Sequence, residues 1–184
     1  MVSSHRRGFS LLEVMAVVAI VGLLLAIALP AIAGSQQSTR IQQTRAQFAR
    51  FSLAVEGYHS RYGHYPPLPD RAVVALEGEH AWLLPCLIGQ QTDGDDLSGT
   101  ALTANPDRVR FLQMGPVDLD DRGHVIDAFG NPHWLYIWDH DGDGWIRPNE
   151  LGAVPADVRP ASPLPAGVYW CVQGSADQPW IASW

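Results

Sequence analysis

Residues 6–33 read RRGFSLLEVMAVVAIVGLLLAIALPAIA, and this stretch decides how the chain is organised. Residues 14–33 contain no charged side chain. An apolar helix of about twenty residues is long enough to cross the hydrocarbon layer of a bilayer. Arg6 and Arg7 precede it, and positive residues beside a span favour the cytoplasmic side. The sequence therefore predicts a membrane-spanning helix with a cytoplasmic N-terminus, followed by an exported remainder.

The composition excludes several classes of protein. The formal net charge is -7, and all 12 basic residues are arginine. Such a chain lacks the basic stripe that nucleic-acid binding requires, so we expect no nucleic-acid partner. The 14 prolines and 17 glycines argue against an all-helical bundle. The sequence has no Gly-x-Ser-x-Gly elbow, no His-Glu-x-x-His helix and no phosphate-binding glycine loop, so we do not expect an enzyme.

Glu13 lies at the edge of the apolar run, where a carboxylate is costly and usually has a specific partner. The surrounding residues 6–15, RRGFSLLEVM, resemble the prepilin leader of type IV pilins and type II secretion pseudopilins. The resemblance implies cleavage between Gly8 and Phe9 by a membrane-embedded prepilin peptidase, followed by N-methylation of Phe9. It also implies that Glu13 pairs with the new amino group of a neighbouring subunit during filament assembly. A cleaved secretory signal and a signal anchor with an unrelated glutamate are the alternatives.

The helix is expected to continue beyond the apolar run. Seven residues recur at spacings of three and four, which is typical of one apolar helix face: Ile41, Thr44, Phe48, Phe51, Val55, Tyr58 and Tyr62. Gly63 and the Pro66-Pro67 pair should end this helix. We therefore divide the chain into a leader (1–8), a transmembrane and filament-core helix (9–33), an amphipathic continuation (34–62) and a globular head (63–184). The predicted fold is α+β and pilin-like, with the long N-terminal helix packed on a small antiparallel β-sheet.

Within the head, residues 71–87 are predicted to be helical, 91–105 a loop and 108–114 a short strand. A turn at 127–132 precedes an aromatic strand at 133–138, and a last strand is expected at 167–172. Residues 127–133, DAFGNPH, resemble the Asp-Pro-Trp-Gly-Asn-Pro-Tyr signature of the major pseudopilin of type II secretion. Ala128, Phe129 and His133 depart from that signature.

Residues 139–150, DHDGDGWIRPNE, have the ligand spacing of a twelve-residue calcium loop. The predicted Ca²⁺ ligands are Asp139, Asp141, Asp143, the carbonyl of Trp145, and Glu150. Arg147 stands at the ninth position and cannot be a ligand, so water would have to fill that place. A solvated acidic turn is the alternative, since Asp and Gly also favour turns. Major pseudopilins bind calcium in a C-terminal loop, so the resemblance supports a structural ion.

Cys86 and Cys171 would both be exported to a compartment where disulfides persist. A bridge between them would close a loop of about 85 residues, which the chain-entropy model values at roughly 4 to 5 kcal/mol. We predict that they pair; two buried free thiols are the alternative.

The resemblance implies a structural subunit of a type II secretion pseudopilus that drives export of folded proteins. It implies a single-pass protein of the bacterial inner membrane with a periplasmic head, which enters a homo-oligomeric helical filament. The expected partners are other pseudopilins, the prepilin peptidase and an inner-membrane assembly platform. The alternatives are a type IV pilin for adhesion, motility or DNA uptake, and a signal-anchored periplasmic calcium-binding domain.

Overall fold

The computed structural model describes residues 11–174 and 180–184, without the side chains of residues 27–34 and 116. The first element is α1 (Leu11–Tyr62), a helix of 52 residues. It ends where expected, because Gly63 adopts a positive φ of 77° and its N–H donates to the carbonyl of His59 at 2.7 Å. Glycine is favoured at this position because it reaches the left-handed conformation without a steric cost.

The chain divides into two compact units, residues 1–39 and 40–184, with the boundary inside α1. In the described residues of the second unit there are two further α-helices, α2 (Leu83–Ile88) and α3 (Gly99–Ala104). The strands in these residues are β1 (Val73–Ala75), β2 (Trp134–Trp138), β3 (Trp145–Ile146), β4 (Leu164–Pro165), β5 (Val168–Val172) and β6 (Ile181–Ala182). Four of them form an antiparallel sheet in the order β1-β2-β5-β6, and β3 pairs with β4.

The second half of α1 packs on one face of the four-stranded sheet, which confirms the helix-on-sheet prediction. The stripe residues Thr44, Phe48, Phe51, Val55 and Tyr58 are buried, whereas Ile41 and Tyr62 at its two ends are half-buried. Trp134 and Trp170 project from β2 and β5 toward this stripe, with ring centroids 5.2 Å from Phe48 and 5.1 Å from Phe51, respectively. Edge-on aromatic pairs of this kind add about 0.5–1.5 kcal/mol each beyond their burial.

The opposite face of the sheet is covered as well. Side chains alternate along a strand, so Ile137 of β2 and Cys171 of β5 point away from α1. They pack with Ile146, Leu151 and Val154, which follow β2 in the chain. The sheet is therefore buried between the helix on one side and the segment 146–154 on the other.

The predicted disulfide between Cys86 and Cys171 is wrong. Both cysteines are free and fully buried. Cys86 belongs to the cluster on the helix side of the sheet, and Cys171 belongs to the cluster on the far side. The sheet therefore separates the two thiols, and the alternative of two buried free thiols applies.

Three predictions for the first part of the head also need correction. Residues 71–87 begin with β1, in which Val74 pairs with Tyr136 of the distant aromatic strand, and α2 occupies only their last five residues. Residues 91–105 include the short helix α3. Residues 108–114 form no strand in the described chain, because the N–H groups of Phe111 and Leu112 both donate to the carbonyl of Leu87 at 2.9 Å.

Candidate functional site

The N-terminal part of α1 exposes an apolar surface over several turns. Among its residues, Leu11 and Leu12 are 79% and 78% exposed, and nine more large apolar side chains up to Leu25 are also exposed. An apolar surface of this extent marks a contact with lipid or with another protein. Glu13 lies in the first turn of the helix, among these apolar side chains, and is itself exposed. The predicted processing residues Gly8 and Phe9 lie outside the described residues.

The membrane span predicted at residues 14–33 falls partly on residues 27–34, whose side chains are not described. In the part of the chain that is described, no helix reaches the length and sustained hydropathy needed to cross a membrane.

The acidic loop begins directly after β2, and its first three aspartates come together. Oxygen atoms of Asp139, Asp141 and Asp143 all lie within 4.8 Å of one another. The loop is folded tightly around these carboxylates: Asp139 accepts the N–H groups of Gly142 and Gly144, each at 3.0 Å. Both glycines have positive φ, at 70° and 91°, so the turn needs residues without a β-carbon. The three carboxylates at alternating positions therefore lie close together, as their spacing in the sequence predicted.

Calcium binds oxygen at 2.3–2.6 Å, so the ligand atoms around one ion lie at most about 5 Å apart. The limit of 4.8 Å between these carboxylate oxygens is compatible with that spacing. The N–H of Asp143 donates to the carboxylate of Asp141, and this hydrogen bond is the main reason that the pKa of Asp141 is lowered. The carboxylate of Asp141 therefore stays ionised at neutral pH, as a metal ligand must.

The two other predicted ligands are arranged differently. Trp145 begins β3, opposite Pro165 of β4. Glu150 lies outside the group of three aspartates. Its carboxylate accepts the backbone N–H of Arg147 at 2.9 Å and meets the guanidinium of the same residue at 3.3 Å.

Arg147 has a role that sequence reasoning missed. Its guanidinium bridges Asp143, at 2.5 Å, and Glu150. The pKa of Arg147 is raised, first by the hydrogen bond to Asp143 and then by the charges of both acids. The signal in the sequence was only the closeness of Arg147 to two acids along the chain, since β3 and not a helical turn lies between Asp143 and Arg147. An internal cation thus offsets part of the negative charge of the loop.

Comparison with known proteins finds a known motif in the N-terminal segment. Residues 3–29 match the prokaryotic N-terminal methylation motif, which places Gly8, Phe9 and Glu13 inside the matched region. The chain is also similar to the type IV major fimbrial protein FimA of Dichelobacter nodosus, with 29% identity over 132 residues. The aligned region covers 69% of this chain and 73% of the fimbrial protein.

The chain is therefore similar to type IV pilins and pseudopilins, in its methylation motif and over the longer fimbrial alignment. No solved structure shows significant similarity to it. The methylation motif extends into the exposed apolar part of α1. The fimbrial alignment, at 132 residues, is long enough that it must also include part of the head.

Proposed function

We propose that this protein is a structural subunit of a type II secretion pseudopilus, assembled through α1, and that it is not an enzyme. The observation that carries this proposal is the methylation motif at residues 3–29, which contains the exposed apolar helix surface from Leu11 to Leu25 that has to be covered. Cleavage after Gly8 would release the amino group of Phe9 close to Glu13. A carboxylate in an apolar setting is strongly favoured by a nearby cation, so the Glu13 of one subunit would pair with Phe9 of its neighbour.

The same helix surface supports a membrane location before assembly. Exposed apolar side chains continue through the described residues from Leu11 to Leu25. We propose that residues 14–33 span the inner membrane with the N-terminus in the cytoplasm and the head in the periplasm. A prepilin peptidase and an inner-membrane assembly platform would then act on the chain in the membrane.

The choice of secretion over a surface pilus rests on the head. Residues 127–133 resemble the major-pseudopilin signature, and they form a turn in which Asp127 is buried and accepts the N–H groups of Phe129 and Asn131, both at 2.8 Å. The second candidate function is a type IV pilin for adhesion, motility or DNA uptake. It is favoured by the similarity to a major fimbrial protein.

Deletion of the gene in its host separates the two functions. A pseudopilin deletion should abolish export of folded proteins and leave surface fibres intact, whereas a pilin deletion should remove the fibres and leave secretion intact. The deletion strain is then complemented with a Gly8→Glu variant, which blocks processing, and with Ser4→Ala as a control in the same leader. Full activity of an unprocessed Gly8→Glu protein would refute assembly as a processed pilin subunit.

We also propose that the acidic loop holds a structural Ca²⁺ ion through Asp139, Asp141 and Asp143. Asp143 and Glu150 both pair with Arg147, so Asp143 would bind the ion while it keeps or loses that guanidinium, and Glu150 would join only by leaving it. The test is a thermal melt of the protein with Ca²⁺ and with chelator. A hundredfold excess of Ca²⁺ over its Kd should stabilise the folded protein by about 2.7 kcal/mol. Asp141→Ala should remove the stabilisation, and Asp157→Ala, another exposed aspartate, should preserve it. An unchanged melting temperature would make this loop an ordinary acidic turn.

A further inference from the structure

An open groove of about 950 Å³ lies between the second half of α1 and the loops of the head. We call it the arginine groove. Arg40, Gln47 and Arg50 of α1 form one wall, and Val117, Asp118 and Phe129 lie on the other. The groove therefore combines cationic, amide and apolar surfaces within the second compact unit.

Asp118 connects the two walls of the groove through hydrogen bonds. Its carboxylate accepts hydrogen bonds from Arg50 at 2.7 Å, from Gln47 at 3.0 Å and from the backbone N–H of Gly115 at 2.8 Å. Burial tends to raise the pKa of Asp118, but these hydrogen bonds together lower it below its ordinary value. Asp118 is thus ionised, and its charge is satisfied by Arg50.

Arg40 contributes the positive charge that remains. Its guanidinium carbon lies 5.7 Å from the centre of the Phe129 ring, and within the described chain it has no carboxylate partner. The other acid of the groove, Asp127, is 2% exposed and bonded to the N–H groups of its own turn. Beside these residues, Val117 is 81% exposed. An occupant should therefore bring a carboxylate for Arg40 and make apolar contact with Val117.

The same chain presents a matching acidic surface, the acidic turn Asp93-Gly94-Asp95-Asp96. The turn is preformed: Gln91 donates its backbone N–H to the carbonyl of Asp95 at 2.8 Å, and Asp93 accepts the N–H of Asp95 at 3.0 Å. All four residues are exposed, and Asp96 pairs with Arg108 at 2.8 Å, so Asp93 and Asp95 are the carboxylates offered to an incoming arginine. A rigid, exposed turn loses little conformational entropy on docking, which favours its use as a contact.

We propose that the acidic turn of one copy docks into the arginine groove of a second copy. This inference rests on the proposed function and identifies a head contact of the filament. Two different patches of one chain that complement each other form a heterologous contact, which builds an open helical assembly rather than a closed dimer. Opposite charges on the two patches would also steer the incoming subunit and fix its register.

The sequence provides a sharp probe, because it contains no lysine. Arg40→Lys keeps the charge and introduces a primary amine that a zero-length carbodiimide couples to a carboxylate in direct contact. Full-length Arg40→Lys subunits, half of them labelled with ¹⁵N, are assembled into filaments in the host, cross-linked and analysed by mass spectrometry. We expect mixed-label peptides that join the introduced amine to Asp93 or Asp95. Arg45→Lys is the matched control on the same helix, outside the groove, and should not couple to this turn.

A charge swap gives a second readout. Arg40→Asp and Asp95→Arg should each lower filament yield by at least about tenfold, because like charges placed together in an interface cost more than one decade of affinity. The double variant should restore the yield. Coupling of the introduced amine within its own chain, to another carboxylate or to a different protein would overturn the inference. Normal filaments without any cross-link would also overturn the inference, but that result would leave the proposed function intact. A wild-type chain that forms no filament would overturn both.

Discussion

The side chain of Asn105 connects three parts of the head through four hydrogen bonds. It is fully buried at the end of α3. Its amide nitrogen donates to the carbonyls of Cys86 and Val109, both at 2.8 Å. Its oxygen accepts the N–H of Val109 at 2.9 Å and the hydroxyl of Tyr62 at 2.7 Å. One side chain thus joins α1, α2 and the 105–109 turn.

Asn105→Ala removes all four hydrogen bonds and leaves buried backbone groups without a partner. At about 1 kcal/mol for each bond, the free energy of unfolding should fall by about 4 kcal/mol. A domain is typically stable by only about 5–15 kcal/mol, so this change is a large share of the total. The melting temperature should fall by about 12 °C for a unit of this size.

The assay is urea unfolding of a fragment comprising residues 40–184, the unit that contains both hydrophobic clusters, followed by far-ultraviolet circular dichroism. Asn149→Ala is the matched control, because Asn149 is exposed and should change the stability by less than about 0.5 kcal/mol. Tyr62→Phe removes one of the four bonds and should cost about 1 kcal/mol. A loss below about 1 kcal/mol for Asn105→Ala, with an unchanged denaturant slope, would refute the assignment of this side chain as a structural connection.

Three further predictions concern the head. Asp118→Asn should lower the free energy of unfolding by about 2 kcal/mol at neutral pH. Because folding lowers the pKa of Asp118 from its ordinary 3.8, the wild type should lose this advantage as the pH falls below about 4. Equal acid sensitivity of the two proteins in pH-dependent melts would contradict this prediction. Gly89→Ala should lower the free energy of unfolding in urea by more than about 1 kcal/mol, because φ is 74° and a β-carbon would meet a backbone carbonyl oxygen at 2.8 Å. Gly94 also has a positive φ but has open space around it, so Gly94→Ala should lower that free energy less. Burial raises the pKa of Cys86 and of Cys171 to about 12, so neither thiol should react with a disulfide reagent before unfolding, and added reductant should leave the melting temperature unchanged.

The parts of the fold that follow from local patterns were predictable from the sequence. The helical stripe from Phe48 to Tyr58 is buried as its spacing indicated, and Gly63 ends the helix. The aromatic strand predicted at 133–138 is β2, and the strand predicted at 167–172 is β5, each to within one residue. These elements were visible because each one shows its own period or its own stop signal.

Elements that depend on distant partners could not be predicted in the same way. Val73 and Val74 occur in a segment with helical character, and only their pairing with Ile137 and Tyr136 makes them a strand. The disulfide prediction failed for a related reason: compartment and spacing suggest a bond, but only the packed sheet shows that Cys86 and Cys171 lie on opposite faces.

In the candidate site, too, local features could be predicted from the sequence and partner-dependent features could not. The convergence of Asp139, Asp141 and Asp143 follows from alternating aspartates around a glycine turn, which is local information. The attachment of Glu150 to Arg147 depends on the balance between two charged partners, which spacing alone does not decide.

The contact between α1 and the sheet can be followed by the intrinsic fluorescence of the protein. Trp134 and Trp170 are fully buried against Phe48 and Phe51, whereas the other five tryptophans are at least partly exposed. If the helix separated from the sheet, water would reach the two indole rings and shift their emission to longer wavelength. Tryptophan fluorescence of the unlabelled protein would therefore show whether a subunit keeps its helix docked as it passes from the free state into an assembly.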